Sequence, residues 1–270
     1  GRGRRSVRVQ TVAAFNGGLF VLTVDHVPTG CGVWPAFWMY GEDAEHTWPK
    51  WGEYDIIEGT HLDTSVKTSL HTAANCDQSR LRAGRDFVGS WQRSAVAADN
   101  CSVTAPDQTF NQGCSQKGPF GSLGSAFNQR GGGTWAAEWD PVAQHIRTWF
   151  WPASTEPPEL MQGRPEPGSW GAPYSHFSLD PSVCHGSFVN MRLVFDLNFC
   201  GELGEATWAQ GCPEFAGRMS CRQLVEGHPD MLGEAFWSIR TLDVYERQIG
   251  VGGPFSLTWL AVCALLIGGV

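Results

Sequence analysis

Three carboxylic acids within six residues are the part of this chain best suited to chemistry. Glu53, Asp55 and Glu58 lie in the segment WGEYDIIEG, whose other residues are mostly apolar and typical of a β-strand. Crowding raises the pKa of at least one carboxyl group and costs folding free energy, so such a cluster usually has a function. The cluster indicates either acid–base and nucleophilic chemistry or a site for a hard cation such as Ca²⁺.

The spacing of the three acids sets a structural condition. Period two places Glu53 and Asp55 on one face of a regular strand, but it sends Glu58 to the opposite face. One extra residue, a β-bulge at Ile56 or Ile57, would return Glu58 to the side of Glu53. With both glutamates on one face, one carboxylate can attack an anomeric carbon while the other carboxylic acid protonates the departing oxygen. That pairing is the chemistry of glycoside hydrolysis.

Short β-type runs recur on both sides of this segment, and few stretches have a helical period. The runs are SVRVQTV, GLFVLTVDHV, EYDIIEGT, VKTSLHTA, TWAAEWD, HIRTWFWP, NMRLVFDLNF and FWSIRTLDVYE. Runs of this length between turn signals predict an all-β sandwich of antiparallel sheets. One face of each strand would meet the core, and the other face could line a groove.

Composition narrows the class of ligand. A chain of 270 residues with 42% hydrophobic residues can bury a full core as one domain. The net charge of −8 argues against a nucleic-acid partner, because binding phosphates requires a basic surface. Thirteen tryptophans offer broad aromatic faces to pyranose rings, although core packing explains many of them equally well. A neutral carbohydrate therefore fits the composition better than a nucleic acid does.

Cysteine usage predicts an oxidising compartment. The body of the chain holds an even set of eight, namely Cys31, Cys76, Cys101, Cys114, Cys184, Cys200, Cys212 and Cys221. Their spacing does not match that of zinc sites, so we expect disulfides in a secreted protein, with the pairing left open. The sequon that begins at Asn100 agrees with secretion, because N-glycans are added to exposed loops in that compartment.

The two ends of the chain differ from the body. Residues 250–270 include the uncharged stretch PFSLTWLAVCALLIGGV, near the lower length limit for a membrane-spanning helix. We expect it to be a membrane anchor or a cleaved lipid-anchor signal, with a buried terminal helix as the alternative. The other end starts almost directly with a strand pattern, which suggests that residues 1–249 are an N-terminally incomplete domain.

The motifs GCGVWPAFWMYG, WGEYDIIEG, SLHTAANC and NFCG resemble those of laminarinase-type members of glycoside hydrolase family 16. The resemblance runs from GRRSVRVQ to AFWSIRTLDVYE and so covers nearly the whole body. It implies a concanavalin-like β-jelly-roll of two curved antiparallel sheets, here without its first strand or strands. The concave face would form an open cleft in which a β-glucan chain is cut internally with retention of configuration.

By position in the motif, the resemblance makes Glu53 the nucleophile, Glu58 the general acid/base and Asp55 the assisting carboxylate. It implies no cofactor, and a structural calcium ion remains open. It also places His71 of SLHT in the cleft, where the imidazole could hydrogen-bond a sugar or the nucleophile. A core or surface role for His71 is equally compatible with the sequence alone. Asn198 in DLNFCG could bind substrate or simply end a strand.

Tryptophans before the acids and in a later strand are candidate sugar platforms. We predict that Trp34 and Trp48 stack on substrate and that Trp38 belongs to the core. Trp149 and Trp151 share one face of HIRTWFWP by period two. Stacking along a glucan and packing between the sheets would both explain this pair.

The sequence thus predicts a secreted or cell-surface, monomeric endo-β-1,3(4)-glucanase, with possible membrane attachment through its tail. A transglycosylase on the same scaffold is the nearest alternative, since an acceptor sugar can replace water at the second step. A non-catalytic glucan-binding module would use the same cleft but has no need of two correctly placed glutamates. No feature of the sequence favours the remaining alternative, a purely structural cell-wall protein.

Overall fold

The computed structural model describes residues 4–93, 96–247, 255–258 and 265–268, most of which form or connect β-strands. The strands are β1 (Val7–Gln10), β2 (Gly18–His26), β3 (Val33–Gly41), β4 (Glu53–Glu58), β5 (Lys67–His71), β6 (Ser90–Trp91), β7 (Cys114–Lys117), β8 (Gly133–Asp140), β9 (His145–Pro152), β10 (Ser175–Ser178), β11 (Met191–Phe199), β12 (Phe236–Arg247), β13 (Phe255–Thr258) and β14 (Leu265–Gly268). All eight predicted runs contain a strand.

The strands form two antiparallel sheets, as predicted. The first sheet has the order β1-β11-β3-β4-β5-β7-β6, so β4 with its three acids lies at its centre. The second sheet has the order β10-β9-β8-β2-β12-β13, and β14 also pairs with β12. Alternation within each central strand sends one set of apolar side chains into the space between the sheets.

The interior between the sheets is rich in large rings. Phe37 and Tyr54 of the first sheet, together with Trp135 and Trp237 of the second, are almost completely buried there. The hydroxyl of Tyr54 is 2.6 Å from Oγ1 of Thr148, so a buried hydrogen bond joins the sheets directly behind the acidic strand. This packing holds β4 from behind and leaves its acidic face free.

Helices form a small lobe that the strand patterns did not predict. The helices of the chain are α1 (Gly124–Gln129), α2 (Pro158–Met161), α3 (Gly201–Gly211), α4 (Pro213–Ala216) and α5 (Cys221–Gly227). Of these, α3 to α5 enclose a separate apolar cluster that includes Trp208 and Leu224. We call residues 200–232 the helical lobe. Its helices are short, and helix periodicity is weak over so few turns.

Four disulfides cross-link the described chain, in agreement with the cysteine count. The pairs are Cys31–Cys212, Cys76–Cys184, Cys101–Cys114 and Cys200–Cys221. Two of them fasten the helical lobe, one to the loop before β3 and one within the lobe. A disulfide that closes a long loop restricts the unfolded chain and so stabilises the native state.

The predicted C-terminal tail is described only in part. Its proposed boundary at residues 249 and 250 lies outside the described residues, as does most of the apolar stretch. The two described pieces, Phe255–Thr258 and Leu265–Gly268, pair with β12 as strands. Within the described ranges, no helix has both the length and the apolar character needed to cross a membrane.

The hydrogen bond between the sheets gives a test of the fold. In Tyr54→Phe the hydroxyl of Thr148 stays buried without this partner, so we expect the free energy of unfolding to fall by about 1–2 kcal/mol. Thr148→Val should have a comparable effect. Urea unfolding of both variants and of the double variant should show a coupling energy of about 1 kcal/mol. Strictly additive losses would show that the two hydroxyls do not interact.

Candidate active site

A cleft of about 470 Å³ crosses the outer face of the first sheet. Its floor consists of side chains from β11, β3, β4, β5 and β7, with the three acids of β4 near the middle. One wall comes from α3, and another comes from the loop of residues 109–112. The cleft opens to solvent and its floor spans five strands, so part of a polymer could lie across them.

A β-bulge brings the outer two acids to one face, as the spacing required. In the pairing of β4 with β3, Phe37 lies opposite Ile57 and Trp38 lies opposite Asp55, so Ile56 has no partner. Ile56 and Ile57 are both fully buried on the core side. The extra residue therefore restores Glu58 to the cleft face, and the prediction of a bulge at this point is confirmed.

The bulge is held by two hydroxyl groups, one from the neighbouring strand β5 and one from Tyr174, which lies just before β10 of the second sheet. Oγ1 of Thr68 in β5 donates a 2.9 Å hydrogen bond to the carbonyl oxygen of Ile56. The hydroxyl of Tyr174 is 2.7 Å from Oγ1 of Thr68 and can donate to it in turn. All three groups are buried, so leaving the carbonyl unpaired would cost about 1–3 kcal/mol. The sequence thus supplies a specific partner for the one irregular carbonyl of the strand.

Each outer acid is held by an indole. Nε1 of Trp48 donates a 2.6 Å hydrogen bond to Oε2 of Glu53, and Nε1 of Trp34 donates a 3.2 Å hydrogen bond to Oε1 of Glu58. Burial and the charge of Asp55 raise the pKa of both glutamates. Because both glutamates interact with the charge of Asp55, the three carboxyl groups titrate together, and one glutamate can be charged while the other is neutral.

The middle acid pairs with a histidine from the next strand. Oδ2 of Asp55 lies 3.2 Å from Nε2 of His71, and Nδ1 of His71 lies 3.2 Å from Oδ1 of Asn111. Both ring nitrogens thus face acceptors, which favours the imidazolium. Burial lowers the pKa of His71, but Asp55 and the two glutamates outweigh it and raise that pKa to about 9. The positive ring offsets part of the charge in the cleft.

Three clusters of metal-ligand residue types occur among the described residues. Glu53, Asp55 and His71 have ligand atoms within 4.8 Å of one another, and Asp55 and His71 form an ion pair within this cluster. In a second cluster, Arg147 donates to Glu138 and fills its carboxylate. The cysteines of the third are joined in a disulfide.

Four of the predicted binding residues meet in the cleft, and one assignment to the core was wrong. Trp34, Trp48, His71 and Asn198 all line the cleft. Trp38 also lines it and donates from Nε1 to Oδ2 of Asp196 at 3.0 Å. The error has a simple reason: residues 34 and 38 are an even number of steps apart in β3, so their side chains share a face.

Trp149 and Trp151 lie elsewhere, and their predicted positions need correction. Both belong to β9 of the second sheet, where Phe150 points into the interior and contacts Trp135 at a ring distance of 5.0 Å. The two tryptophans therefore face outwards, and each ring meets Trp170 edge to face at about 5 Å. They neither line the cleft nor pack between the sheets.

Sequence reasoning missed several cleft residues. Asp196 shares a face of β11 with Asn198 by period two, so its place could have been found from that rule. Asn111 and Phe110 come from an irregular loop, and no local pattern points to them. Lys67 begins β5 and lies opposite Glu58 in the strand pairing, which only the register reveals.

The helical lobe reaches the cleft through α3, and buried contacts position it. The side chain of His61 accepts a hydrogen bond at Nδ1 from the amide of Gly32 and donates from Nε2 to the carbonyl of Gly204. Gly201 starts α3 at φ +70°, and a Cβ there would lie 2.8 Å from the ring of Trp34. Glycine is required at this position by both the backbone and the indole.

Comparisons with known proteins agree with this geometry. The family model for XgeA-like, catalytic GH16 domains matches residues 1–245. A probable glycosidase of Schizosaccharomyces pombe is 37% identical over 90% of this chain and 54% of its own length. An endo-1,3(4)-β-glucanase of Arthroderma benhamiae is 36% identical over 92% of this chain and 52% of its own length. The chain thus spans about half the length of these relatives.

Solved structures share both the fold and part of the sequence. One is Laminarinase 16A from Phanerochaete chrysosporium, with 6-O-glucosyl-laminaritriose in its donor and acceptor sites. It superposes with a TM-score of 0.77 at 31% identity, over 91% of this chain and 78% of that one. An elongating family 16 β-1,3-glucosyltransferase gives a TM-score of 0.72 at 30% identity, over 86% of this chain and 73% of that one.

The Asp55–His71 pair gives a prediction that needs no substrate. In Asp55→Asn, burial is no longer offset by the paired carboxylate, so we expect the pKa of His71 to fall by about 2 pH units from its value near 9. NMR titration of the imidazole measures it directly. His61, which bonds to backbone groups away from Asp55, serves as the internal control in the same spectra. A pKa of His71 that stays near 9 in the variant would contradict the pairing.

Proposed function

Because this chain belongs to glycoside hydrolase family 16, we propose that it is a retaining endo-β-glucanase acting on β-1,3- or mixed-linkage β-1,3-1,4-glucan. The observation that carries the proposal is the bulge at Ile56, which gives Glu53 and Glu58 a common face in an open cleft. An indole holds each glutamate, and both have raised pKa values. A binding module without catalysis would use the same cleft but would not need two glutamates that share a face and have raised pKa values.

In the first step, the carboxylate of Glu53 attacks the anomeric carbon of the bound sugar. Glu58, still protonated, gives its proton to the glycosidic oxygen as that bond breaks, and a glycosyl ester forms on Glu53. The short hydrogen bond from Trp48 favours the charged form of Glu53, because it is stronger in the carboxylate than in the acid. The indole of Trp34 makes a longer hydrogen bond to Glu58, at 3.2 Å, and this difference in length is consistent with Glu53 as nucleophile and Glu58 as acid.

In the second step, Glu58 has lost its proton and acts as a base toward water. The water attacks the anomeric carbon and gives its proton to Glu58, and Glu53 leaves as a carboxylate. Two inversions restore the original configuration. Between turnovers, the negative charge of Asp55 raises the pKa of Glu53 and Glu58 and so favours their protonated forms. The positive charge of His71 lowers the same pKa values and so limits this effect.

Aromatic side chains support a glucan as the substrate. Trp48 has 39% of its surface exposed at the cleft, and Phe110 has 69% exposed on the opposite loop. Exposed rings of this kind offer flat apolar faces to the C–H bonds of a pyranose, and Trp34 and Trp38 extend that surface along the floor. We propose that these four rings form the sugar-binding surface of the cleft, with Asn198 as a hydrogen-bonding partner.

Glycosyl transfer is the second candidate activity. A structural relative at 30% identity is a β-1,3-glucosyltransferase that elongates chains, and the same ester intermediate serves both reactions. The open cleft leaves room for an acceptor sugar beside the intermediate. The balance between water and sugar as the second nucleophile decides between the two activities.

We propose a secreted or cell-surface location. Four disulfides fit an oxidising compartment, and the sequon at Asn100 contains Cys101, which one of them joins to Cys114. An N-glycan on Asn100 and attachment through the C-terminal residues are part of this proposal. The location also brings the cleft to cell-wall or extracellular glucan.

The two roles can be separated by chemical rescue. Glu53→Ala should lose at least about 10³-fold in kcat on laminarin, and added azide should then yield an α-glycosyl azide by direct attack. Glu58→Ala should lose activity by a similar factor, but azide should trap its ester intermediate as a β-glycosyl azide. NMR of the products distinguishes the anomers. Glu205→Gln, on the exposed side of α3, is the control and should act like the wild type.

Product analysis tests the reaction itself. We expect laminarin and lichenan to give internal fragments whose new reducing ends appear first as the β-anomer, because double displacement retains configuration. ¹H NMR during digestion measures the anomer, and chromatography of the same samples measures chain length. Oligomers longer than the substrate would favour transfer over hydrolysis. Fragments that first appear as the α-anomer would exclude the double-displacement mechanism.

A further inference from the structure

Among the described residues, Lys67 is the one lysine that lines the cleft, and it lies directly opposite Glu58. The two residues are register partners in the pairing of β5 with β4, and both side chains point to the cleft face. Opposite residues on one face of an antiparallel pair have Cβ atoms about 5 Å apart. The side chain of Lys67 therefore starts beside that of the residue to which the proposed function gives the acid/base role.

Lys67 nevertheless forms its ion pair with another residue. Its Nζ lies 3.6 Å from Oδ2 of Asp63, and its side chain is 15% exposed. Asp63 is itself fixed, because Oδ2 accepts a 2.9 Å hydrogen bond from the amide of Thr60. The amine is thus held close to Glu58 without a direct ion pair to it.

The placement of Lys67 near Glu58, but in an ion pair with Asp63, has a chemical consequence. A lysine in direct contact would hold Glu58 as a carboxylate and so deprive it of the proton that it must give to the leaving oxygen. With no cation nearby, burial and Asp55 would hold the proton too firmly for Glu58 to release it and then act as a base. An intermediate position suits both halves of the reaction.

We propose that Lys67, held off Glu58 by Asp63, is a positioning residue that sets the proton affinity of the acid/base. The inference rests on the proposed function for the role of Glu58. It assigns Lys67 no contact with substrate. Its effect passes through the charge that it places beside one carboxyl group.

Other charged groups also face Glu58, and the test must separate them from Lys67. Asp55 raises the pKa of Glu58, whereas Lys67 and His71 lower it. Glu53 of β4, Arg93, Asp196 of β11 and Glu202 of α3 line the same cleft. All of these groups stay unchanged when only Lys67 or Asp63 is substituted, so a difference between variants reports the Lys67–Asp63 pair.

The proposal predicts opposite shifts from two neighbouring substitutions. Lys67→Met removes the positive charge, so the pKa of Glu58 should rise by about 1 pH unit. Asp63→Asn frees the lysine from its counter-charge, so the pKa of Glu58 should fall. Lys67→Arg keeps the charge and should change that pKa little. Lys117→Met makes the same substitution one strand further from Glu58, at an exposed position, and should have no effect.

Two measurements on the full chain separate this inference from the proposed function. ¹³C NMR of labelled glutamate gives the pKa of Glu58 without any substrate. The value of kcat/KM on laminarin should fall at high pH, where Glu58 has lost its proton. The pH of this fall should follow the pKa of Glu58, so it should rise in Lys67→Met and drop in Asp63→Asn. Equal pKa values in wild type and Lys67→Met, or shifts of the same sign in both variants, would overturn the inference. If the pKa of Glu58 shifts as expected but the wild-type protein has no glucanase activity, the proposed function alone would be overturned.

Discussion

The β-bulge at Ile56 determines how the three acids are placed in the cleft. At Ile56 the central strand has one residue more than its neighbours, and the hydrogen bond from Thr68 Oγ1 satisfies the carbonyl that this leaves without a strand partner. Without the extra residue, Glu58 would point into an apolar core that cannot hold a carboxylate. Because of this bulge, the strand can bury Ile56 and Ile57 in the core and still place Glu53 and Glu58 on the same face.

Charge balance is the second constraint on the site. Three crowded acids in one strand would be too costly together if all were ionised. Neighbouring residues offset this cost with hydrogen bonds and cations: indoles from Trp34 and Trp48, an imidazolium at His71 and an amine at Lys67. Each indole and the imidazolium contacts one particular acid. The result is a cluster that can divide its protons unequally, as acid catalysis beside a nucleophile requires.

The remaining structure supports the cleft from behind and from one end. The hydrogen bond between Tyr54 and Thr148 joins the second sheet to the back of the acidic strand. The helical lobe forms a wall through α3, and its attachment through His61 and the Cys31–Cys212 disulfide keeps that wall in place. Trp149 and Trp151 belong to this supporting part of the molecule, since they pack on the outside of the second sheet.

The sequence by itself determined the strands, the three acids and the need for a bulge, because alternation and its one interruption are local properties of the chain. It could not decide which face of a strand meets the core, since period two is unchanged when the faces are exchanged. Trp149 and Trp151 were misplaced for that reason, whereas period two alone would have placed Trp38 on the same face as Trp34. Only the tertiary structure joined Asp55 to His71 and Asn111, and Glu58 to Lys67. Those contacts depend on strand register and loop paths, which link residues far apart in the sequence.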